Sequence, residues 1–300
     1  ETKMKSKHNE FHSQIHVPNE QQSNINYKNR ISYQSFEVDK LRSQDFDTEE
    51  KTTELSLMEE LSLIALGEER AYIPILNDKF PYVLRGCIML ELVLAHRIQI
   101  EIGPSFLSSE PYKANVTVTN RVPTGDVFLD EALNLIAKES FSLEKWIYIL
   151  SGDTWSQKLS SFQMHNLRER ICKSLIEKGI LSTQKSSFFL IETTEYPILN
   201  PMIKRAVCFK MIDLASDLEP TSLRSLCSII SMNSAKILYK ALRVSDAPTC
   251  SKVKKFASDS QRKFAQLFEL ELEYGHLYSK AELILVSGIF SMYNKFDKYF

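Results

Sequence analysis

Hydrophobic positions are sparse over residues 1–52 of this chain and dense from residue 53 onward. The first part is rich in Asn, Gln, Ser, Lys and Glu, and no hydrophobic period persists along it. Such a composition buries too little apolar surface to offset the entropy of ordering the chain. We therefore predict a disordered N-terminal tail over residues 1–52 and a single folded domain over residues 53–300.

The segment over residues 82–95 is apolar around almost its whole circumference when it is wound as a helix. It leaves no polar face wide enough to meet water, so we expect other helices to surround it. Arg85, in its first predicted turn, is the exception. Arg85 either pairs with a carboxylate such as Asp78 or Glu91, or joins the helix N-terminus in binding an anion. The segment alone favours the first interpretation.

Helical periodicity, with capping residues or an early proline, recurs along the rest of the domain. It predicts helices near residues 55–66, 126–138, 142–150, 154–178, 201–215, 221–243, 258–272 and 279–296. Alternation at residues 98–102 and 116–118 predicts a small strand pair, and a polar turn between apolar segments predicts a β-hairpin over residues 181–197. The predicted fold class is mainly α, a helical domain around one buried apolar helix.

The overall charge narrows the function classes. A formal net charge of -1 argues against nucleic-acid binding, which requires a strongly basic domain.

The five cysteines form no C-x-x-C pair and suggest buried thiols in a reducing compartment. No stretch resembles a signal peptide or reaches the length of a transmembrane helix, and we expect neither.

The common catalytic signatures are missing from the sequence. It has no glycine-rich phosphate loop, no G-x-S-x-G elbow and no H-E-x-x-H motif. Ser142 and Lys145 fit S-x-x-K, but without the companion motifs Ser142 is better explained as a helix cap. The three histidines outside the tail, His96, His165 and His276, are too dispersed to suggest zinc. We expect no enzyme activity, no cofactor and no metal.

One polar cluster deserves a functional interpretation. In the helix predicted over residues 154–178, His165 and Arg168 are three residues apart and share a face, whereas Arg170 is rotated about 200° from Arg168. Arg168 joins Arg85 in binding one anion only if their two helices are neighbours. The alternative is a solvated charge run over residues 168–170.

Several motifs in a fixed order carry a family resemblance. They are Asn77-Asp78, Tyr82, Leu84-Arg85-Gly86-Cys87, Glu91-Leu92, Thr124-Gly125-Asp126-Val127, Leu129-Asp130-Glu131, Trp146, Leu150-Ser151-Gly152-Asp153-Thr154-Trp155, Leu167-Arg168-Glu169-Arg170 and Glu177-Lys178-Gly179. Over residues 55–215 the chain resembles the Golgi phosphoprotein 3 family. The resemblance implies a cytoplasmic protein, peripheral on Golgi membranes, that is recruited by phosphatidylinositol 4-phosphate. Such proteins retain glycosyltransferases by linking their cytosolic tails to coatomer, the COPI coat.

The resemblance also implies a lipid headgroup site that contains Arg85 and Arg168. Two guanidinium groups suit a phosphomonoester that carries nearly two negative charges. At two further positions of the family's site this chain departs, with Leu76 in place of a Trp and His165 in place of a third basic residue. We therefore expect a divergent member with weaker lipid binding. The N-terminal tail also lacks the family's run of arginines, which predicts a weaker link to coatomer.

The apolar sequence Phe188-Phe189-Leu190-Ile191 lies in the predicted hairpin. By resemblance it corresponds to the family's oligomerisation element and predicts a homo-oligomer. Contact with the membrane and ordinary core packing are the alternatives for these four residues.

Acidic residues near the predicted site suggest a docking surface for the basic tails of Golgi glycosyltransferases. They are Glu68, Glu69, Asp126, Asp130 and Glu131. Two other functions stay open at this point. One is a protein–protein scaffold of the same fold that has lost lipid recognition, and the other is an enzyme that acts on a phosphorylated small molecule through Arg85 and Arg168.

Overall fold

The computed structural model of the chain describes residues 54–66, 79–103, 110–152, 157–188, 191–216 and 221–299. Within these ranges helices dominate and strands form two small antiparallel pairs, so the predicted mainly α class is confirmed. The predicted tail over residues 1–52, Leu76, and the acidic pair Glu68 and Glu69 lie outside the described residues.

The helices and strands follow one another in a mostly helical order. They are α1 (Leu57–Ala65), α2 (Phe80–Leu94), β1 (Ile98–Ile100), β2 (Val116–Val118), α3 (Val127–Ile136), α4 (Leu143–Ser151), α5 (Leu167–Glu177), β3 (Gln184–Phe188), β4 (Ile191–Glu195), α6 (Pro201–Asp213), α7 (Leu223–Ser234), α8 (Leu238–Ala241), α9 (Ala247–Lys263), α10 (Leu267–Tyr274) and α11 (Lys280–Tyr299). No helix in the described ranges combines the length and the apolar character needed to cross a bilayer.

Helix α2 lies in the core, as its apolar sequence predicts. It is buried along most of its length and packs against α1, α3, α4, α7 and α11. The helix begins at Phe80, two residues earlier than predicted, with Pro81 in the first turn, where a missing N–H leaves no bond unmade. Arg85 is therefore the sixth residue of the helix and lies in its second turn, not in its first.

Close packing between α2 and α11 depends on Gly86. A Cβ atom at this position would lie 2.1 Å from the hydroxyl oxygen of Tyr293. That hydroxyl donates a hydrogen bond to the carbonyl of Val83 at 3.1 Å. Because both helices are buried here, a larger residue at position 86 would have to displace Tyr293 and break this bond.

Both predicted strand pairs are present. Strands β1 and β2 pair antiparallel, with Ile98 opposite Val118. Strands β3 and β4 form the predicted hairpin, with Phe188 opposite Ile191. At its base, the N–H of Ser182 donates to the carbonyl of Pro197 at 2.8 Å, so the ends of the hairpin lie side by side.

The prediction of one long helix over residues 154–178 is wrong for its first half. A short 3₁₀ turn occupies Ser160–Phe162, and α5 begins only at Leu167. Asn166 has a left-handed backbone with φ 51°, which an α-helix cannot accommodate. His165 therefore precedes the helix, and the predicted helical face shared by His165 and Arg168 does not exist.

Two C-terminal helices also differ from their predictions. The helix predicted over residues 221–243 is interrupted, because Lys236 has a left-handed backbone with φ 55° between α7 and α8. The helix predicted over residues 258–272 begins much earlier, at Ala247, where the side chain of Asp246 accepts a hydrogen bond from the N–H of Thr249. It ends at Lys263, and α10 follows as a separate helix.

Candidate functional site

The guanidinium of Arg85 lies where three parts of the chain meet. Its Nε donates to the carbonyl of Leu150 at 3.0 Å, its Nη2 to the carbonyl of Met164 at 3.2 Å, and its Nη1 to the carbonyl of Pro81 at 3.4 Å. Arg85 is only 6% exposed. It therefore fastens the start of α2 to the end of α4 and to the turn before α5.

Arg85 does not pair with Glu91, one of the two carboxylates predicted as its partner. Glu91 accepts a hydrogen bond from the N–H of Leu57 at 2.6 Å and forms an ion pair with Arg224 at 2.6 Å. The other carboxylate, Asp78, lies outside the described residues. Among the residues that the structure describes, no carboxylate forms an ion pair with Arg85, and three backbone carbonyls accept its hydrogen bonds.

Arg168 lies close to the helix that carries Arg85. It is in the first turn of α5, and its guanidinium carbon lies 5.3 Å from the ring centroid of Phe80, the first residue of α2. Burial, and then the charge of Arg168, lower the pKa of Arg85 to about 10. Burial also lowers the pKa of Arg168, while Glu169 opposes that change. Positive charge is thus concentrated in a poorly solvated place.

The start of α5 adds hydrogen-bond donors beside Arg168. The side chain of Asn166 makes no capping hydrogen bond. The first turn of a helix leaves N–H groups without helical partners, and these groups favour an anion. His165 is exposed immediately before this turn. We call Arg85, Arg168 and this helix start the arginine site. Its cations and hydrogen-bond donors have the chemistry that binds a phosphate.

The structure gives less information about the other predicted site residues. Leu76 and the middle of the apolar hairpin sequence, Phe189 and Leu190, lie outside the described residues. Phe188 and Ile191 pair through their backbones at the ends of β3 and β4, and their side chains are not among those described.

Sequence reasoning missed a pair of aromatic side chains beside the arginine site. The rings of Tyr82 and Tyr148 meet edge to face, with centroids 5.4 Å apart and an interplanar angle of 77°. Tyr148 is 37% exposed. The sequence could have indicated Tyr82, because a residue three positions before Arg85 lies beside it on a helix. Nothing in the sequence connected Tyr82 with Tyr148.

A second charged region lies on the other side of α5. It is a cleft of about 690 Å³, here called the α5 cleft, between the start of α1, the turn before α3, and α5. Its lining includes Arg170, Lys178 and Arg224, but neither Arg85 nor Arg168. Each of these three cations has a carboxylate partner, and the pairs are Arg170–Glu131, Lys178–Glu59 and Arg224–Glu91. Arg170 thus points away from Arg168, as predicted.

Three of the predicted docking acids have partners within the fold. Asp126 caps α3 by accepting from the N–H of Phe128 at 2.8 Å, and Asp130 accepts from the N–H of Thr124 at 2.6 Å. Glu131 forms its ion pair with Arg170. These partners favour a structural role for the three acids at the start of α3.

The described residues offer little to a catalytic mechanism. The hydroxyl of Ser142 accepts from the N–H of Lys145 at 3.3 Å and caps α4, as predicted. Burial raises the pKa of Cys87 and of Cys172 to about 12, so both thiols stay protonated and are poor nucleophiles. No group of three or more potential metal ligands occurs in the part of the chain that the structure describes.

Comparison with known proteins gives consistent matches. The sequence profile of the family described as Golgi phosphoprotein 3 (GPP34) matches residues 57–266. A relative from Eremothecium gossypii, named vacuolar protein sorting-associated protein 74, is 33% identical over 225 residues, which cover 70% of this chain and 66% of the relative. The protein of the same name from Schizosaccharomyces pombe is 32% identical over 166 residues, covering 55% of this chain and 49% of the relative. The matches thus span between half and two thirds of these relatives.

Proposed function

We propose that this chain, which belongs to the Golgi phosphoprotein 3 family, is a peripheral adaptor of Golgi membranes that binds phosphatidylinositol 4-phosphate. As an adaptor it would serve vesicle traffic and the retention of glycosyltransferases. The two relatives named for vacuolar protein sorting support a role in traffic. The arginine site supports the choice of ligand.

The observation that carries the proposal is that no carboxylate among the described residues forms an ion pair with Arg85, which is 6% exposed. A buried guanidinium that has lost its water carries a desolvation cost, which a bound anion offsets. The 4-phosphate of the lipid is a monoester with close to two negative charges, and it accepts charge-assisted hydrogen bonds from guanidinium groups. Arg168 and the start of α5 add further donors on the same side.

The test is flotation of the purified protein with three kinds of vesicle. The first kind is neutral, and the second contains phosphatidylinositol 4-phosphate. The third contains phosphatidylserine in an amount that gives it the same total charge as the second. We expect preferential binding to the phosphoinositide, weakened by salt. Equal binding to all three would reject a headgroup site. An absence of binding to any vesicle would favour the protein–protein scaffold, and turnover of a phosphorylated small molecule would favour an enzyme.

We assign the hairpin as the contact between copies in a homo-oligomer. The sequence over residues 188–191 is apolar, and exposed strands with such a sequence pair readily with other chains. Because the base of the hairpin is closed at Ser182 and Pro197, deleting residues 182–195 leaves the two cut ends close together. We expect the deletion variant to keep its helical circular dichroism and to sediment as a monomer. A monomeric wild type would contradict the assignment, and an unfolded variant would place these residues in the core.

We assign the docking of basic glycosyltransferase tails to Glu68 and Glu69, since Asp126, Asp130 and Glu131 have internal partners. A tail held in the same membrane as the adaptor binds at a high effective concentration, so weak contacts suffice. Capture of tail peptides on bilayers should fall when Glu68→Lys and Glu69→Lys are combined. Unchanged capture would reject this surface. Coatomer is a further partner in this proposal, as the family resemblance implies.

A further inference from the structure

The helices that carry Tyr82 and Tyr148 hold these two residues next to the arginine site. Tyr82 lies three residues before Arg85 on α2, and residues at this spacing are neighbours on a helix surface. Tyr148 lies on α4 two residues before Leu150, whose carbonyl accepts the hydrogen bond from Nε of Arg85. The edge-to-face contact of the two rings joins α2 and α4 at this point. The position of the ring pair relative to Arg85 is therefore fixed.

The chemistry of these two side chains differs from that of the core aromatics. Phe80, which lies under Arg168, is 1% exposed, whereas Tyr148 is 37% exposed and Tyr82 is half-buried. A tyrosine has an apolar ring and a polar tip, and such side chains are enriched where membrane hydrocarbon meets water. A partly exposed tyrosine pair beside two cations therefore suits the boundary of an anionic bilayer.

We propose that Tyr82 and Tyr148 form an interfacial anchor, in which their rings enter the headgroup boundary of the bilayer while Arg85 and Arg168 hold the phosphate. This inference rests on the proposed function, because it requires a membrane over the arginine site. Leu76, which has no polar tip, does not supply this chemistry. The anchor adds affinity for the bilayer itself and none for the headgroup in solution.

This division of affinity gives the experiment. Binding of the full chain is measured to vesicles with phosphatidylinositol 4-phosphate and to the deacylated, water-soluble form of the same lipid. We expect Tyr148→Ser to weaken vesicle binding about fivefold and the combination with Tyr82→Ser about tenfold or more, with binding of the soluble headgroup unchanged. The matched control is Tyr239→Ser, since Tyr239 is 51% exposed but lies on α8, which packs against α1, α6 and α7.

A second variant reports the location of the ring directly. In Tyr148→Trp, an interfacial ring should be quenched by vesicles with brominated acyl chains, beyond the quenching that wild type shows from Trp146 and Trp155. No added quenching, or an equal loss of soluble-headgroup binding in Tyr148→Ser, would overturn the anchor and leave the headgroup site standing. Loss of tail-peptide capture with full vesicle binding would reassign the rings to a protein partner. A wild type that binds neither ligand would overturn both proposals.

Discussion

Two arginines of helix α5 meet opposite electrostatic surroundings. Arg170 lines the α5 cleft and forms an ion pair with Glu131. Arg168, two residues earlier, lies over Phe80 near a second guanidinium, that of Arg85. Three cations of the cleft, Arg170, Lys178 and Arg224, form ion pairs with carboxylates, whereas in the described residues no carboxylate forms an ion pair with Arg85 or Arg168.

The difference shows that neither cavity size nor the number of cations identifies an anion site in this fold. The α5 cleft has volume and basic residues, but Arg170, Lys178 and Arg224 in its lining are already neutralised by ion pairs. The arginine site has fewer cations, and no carboxylate in the part of the chain that the structure describes forms an ion pair with them. A bound anion therefore gains more free energy at the arginine site, and the following predictions test this ranking.

Reversing the charge at Arg168 should have the largest effect. Arg168→Glu removes a donor to the phosphate and adds a negative charge near an anionic surface, so we expect vesicle binding to fall about 100-fold. Flotation against lipid concentration measures the change. The matched control, Arg170→Gln on the same helix, should bind like wild type. An equal loss in both variants would remove the distinction between the two regions.

Replacing Arg85 should cost both binding and stability. Arg85→Ala leaves the buried carbonyls of Leu150 and Met164 without this donor, so we expect the free energy of unfolding to fall by roughly 1–3 kcal/mol. Arg85→Lys keeps a charge but cannot reach carbonyls in several directions, so it should restore binding more than stability. Urea unfolding of each variant measures the loss. Full stability in Arg85→Ala would show that the arginine does not fasten these segments.

A soluble phosphate ligand should raise the melting temperature of the wild type. Burial lowers the pKa of Arg85 to about 10, so below pH 10 its charge opposes folding, and the opposition fades as the pH rises above 10. An anion favours the charged form. With the deacylated lipid at about 100 times its dissociation constant, we expect a rise of roughly 5 °C in the melting temperature. Arg168→Glu should show no rise, and a rise of equal size there would place the ligand elsewhere.

A permanent charge at position 165 should strengthen vesicle binding. His165 is exposed immediately before α5, and His165→Arg adds a guanidinium there. One added cation near an anionic surface strengthens binding about fivefold. Flotation of the variant beside wild type measures the change. Unchanged binding would exclude position 165 from the site.

The smallest effect is expected in the α5 cleft. Arg170→Gln breaks an ion pair whose side chains are about one-third exposed, so the free energy of unfolding should fall by less than about 1 kcal/mol. Thermal unfolding beside the Arg85→Ala variant measures this difference. A larger loss from Arg170→Gln than from Arg85→Ala would reverse the comparison between the two regions.

The sequence predicts those parts of the fold that one periodic pattern governs. Helix α2 is found as predicted because its apolar residues cover every face, and β1 and β2 pair because their alternation is strict. The start of α9 was available to the same reasoning, since Asp246 precedes Ala247 and a proline in the first turn. The break before α5 was not, because Asn166 takes a left-handed conformation without a glycine or proline to mark it.

The candidate site depends on contacts that no local pattern contains. Sequence spacing identifies Arg85 and Arg168, but the carbonyls that accept from Arg85 belong to Leu150 and Met164, 65 and 79 residues away. The contact between Tyr82 and Tyr148 likewise joins two separate helices. Such contacts follow from how helices cross, which side-chain periodicity does not determine.

The contact between Gly86 and Tyr293 can form only late in the synthesis of the protein. Tyr293 emerges from the ribosome 210 residues after Val83, the residue whose carbonyl it bonds. At typical translation rates, α2 waits about 10 to 40 s before α11 can cover it. An all-round apolar helix without its partner is a target for chaperones and for aggregation. The nascent chain should therefore depend on chaperones until α11 is made, and stop codons that remove α11 should yield insoluble protein.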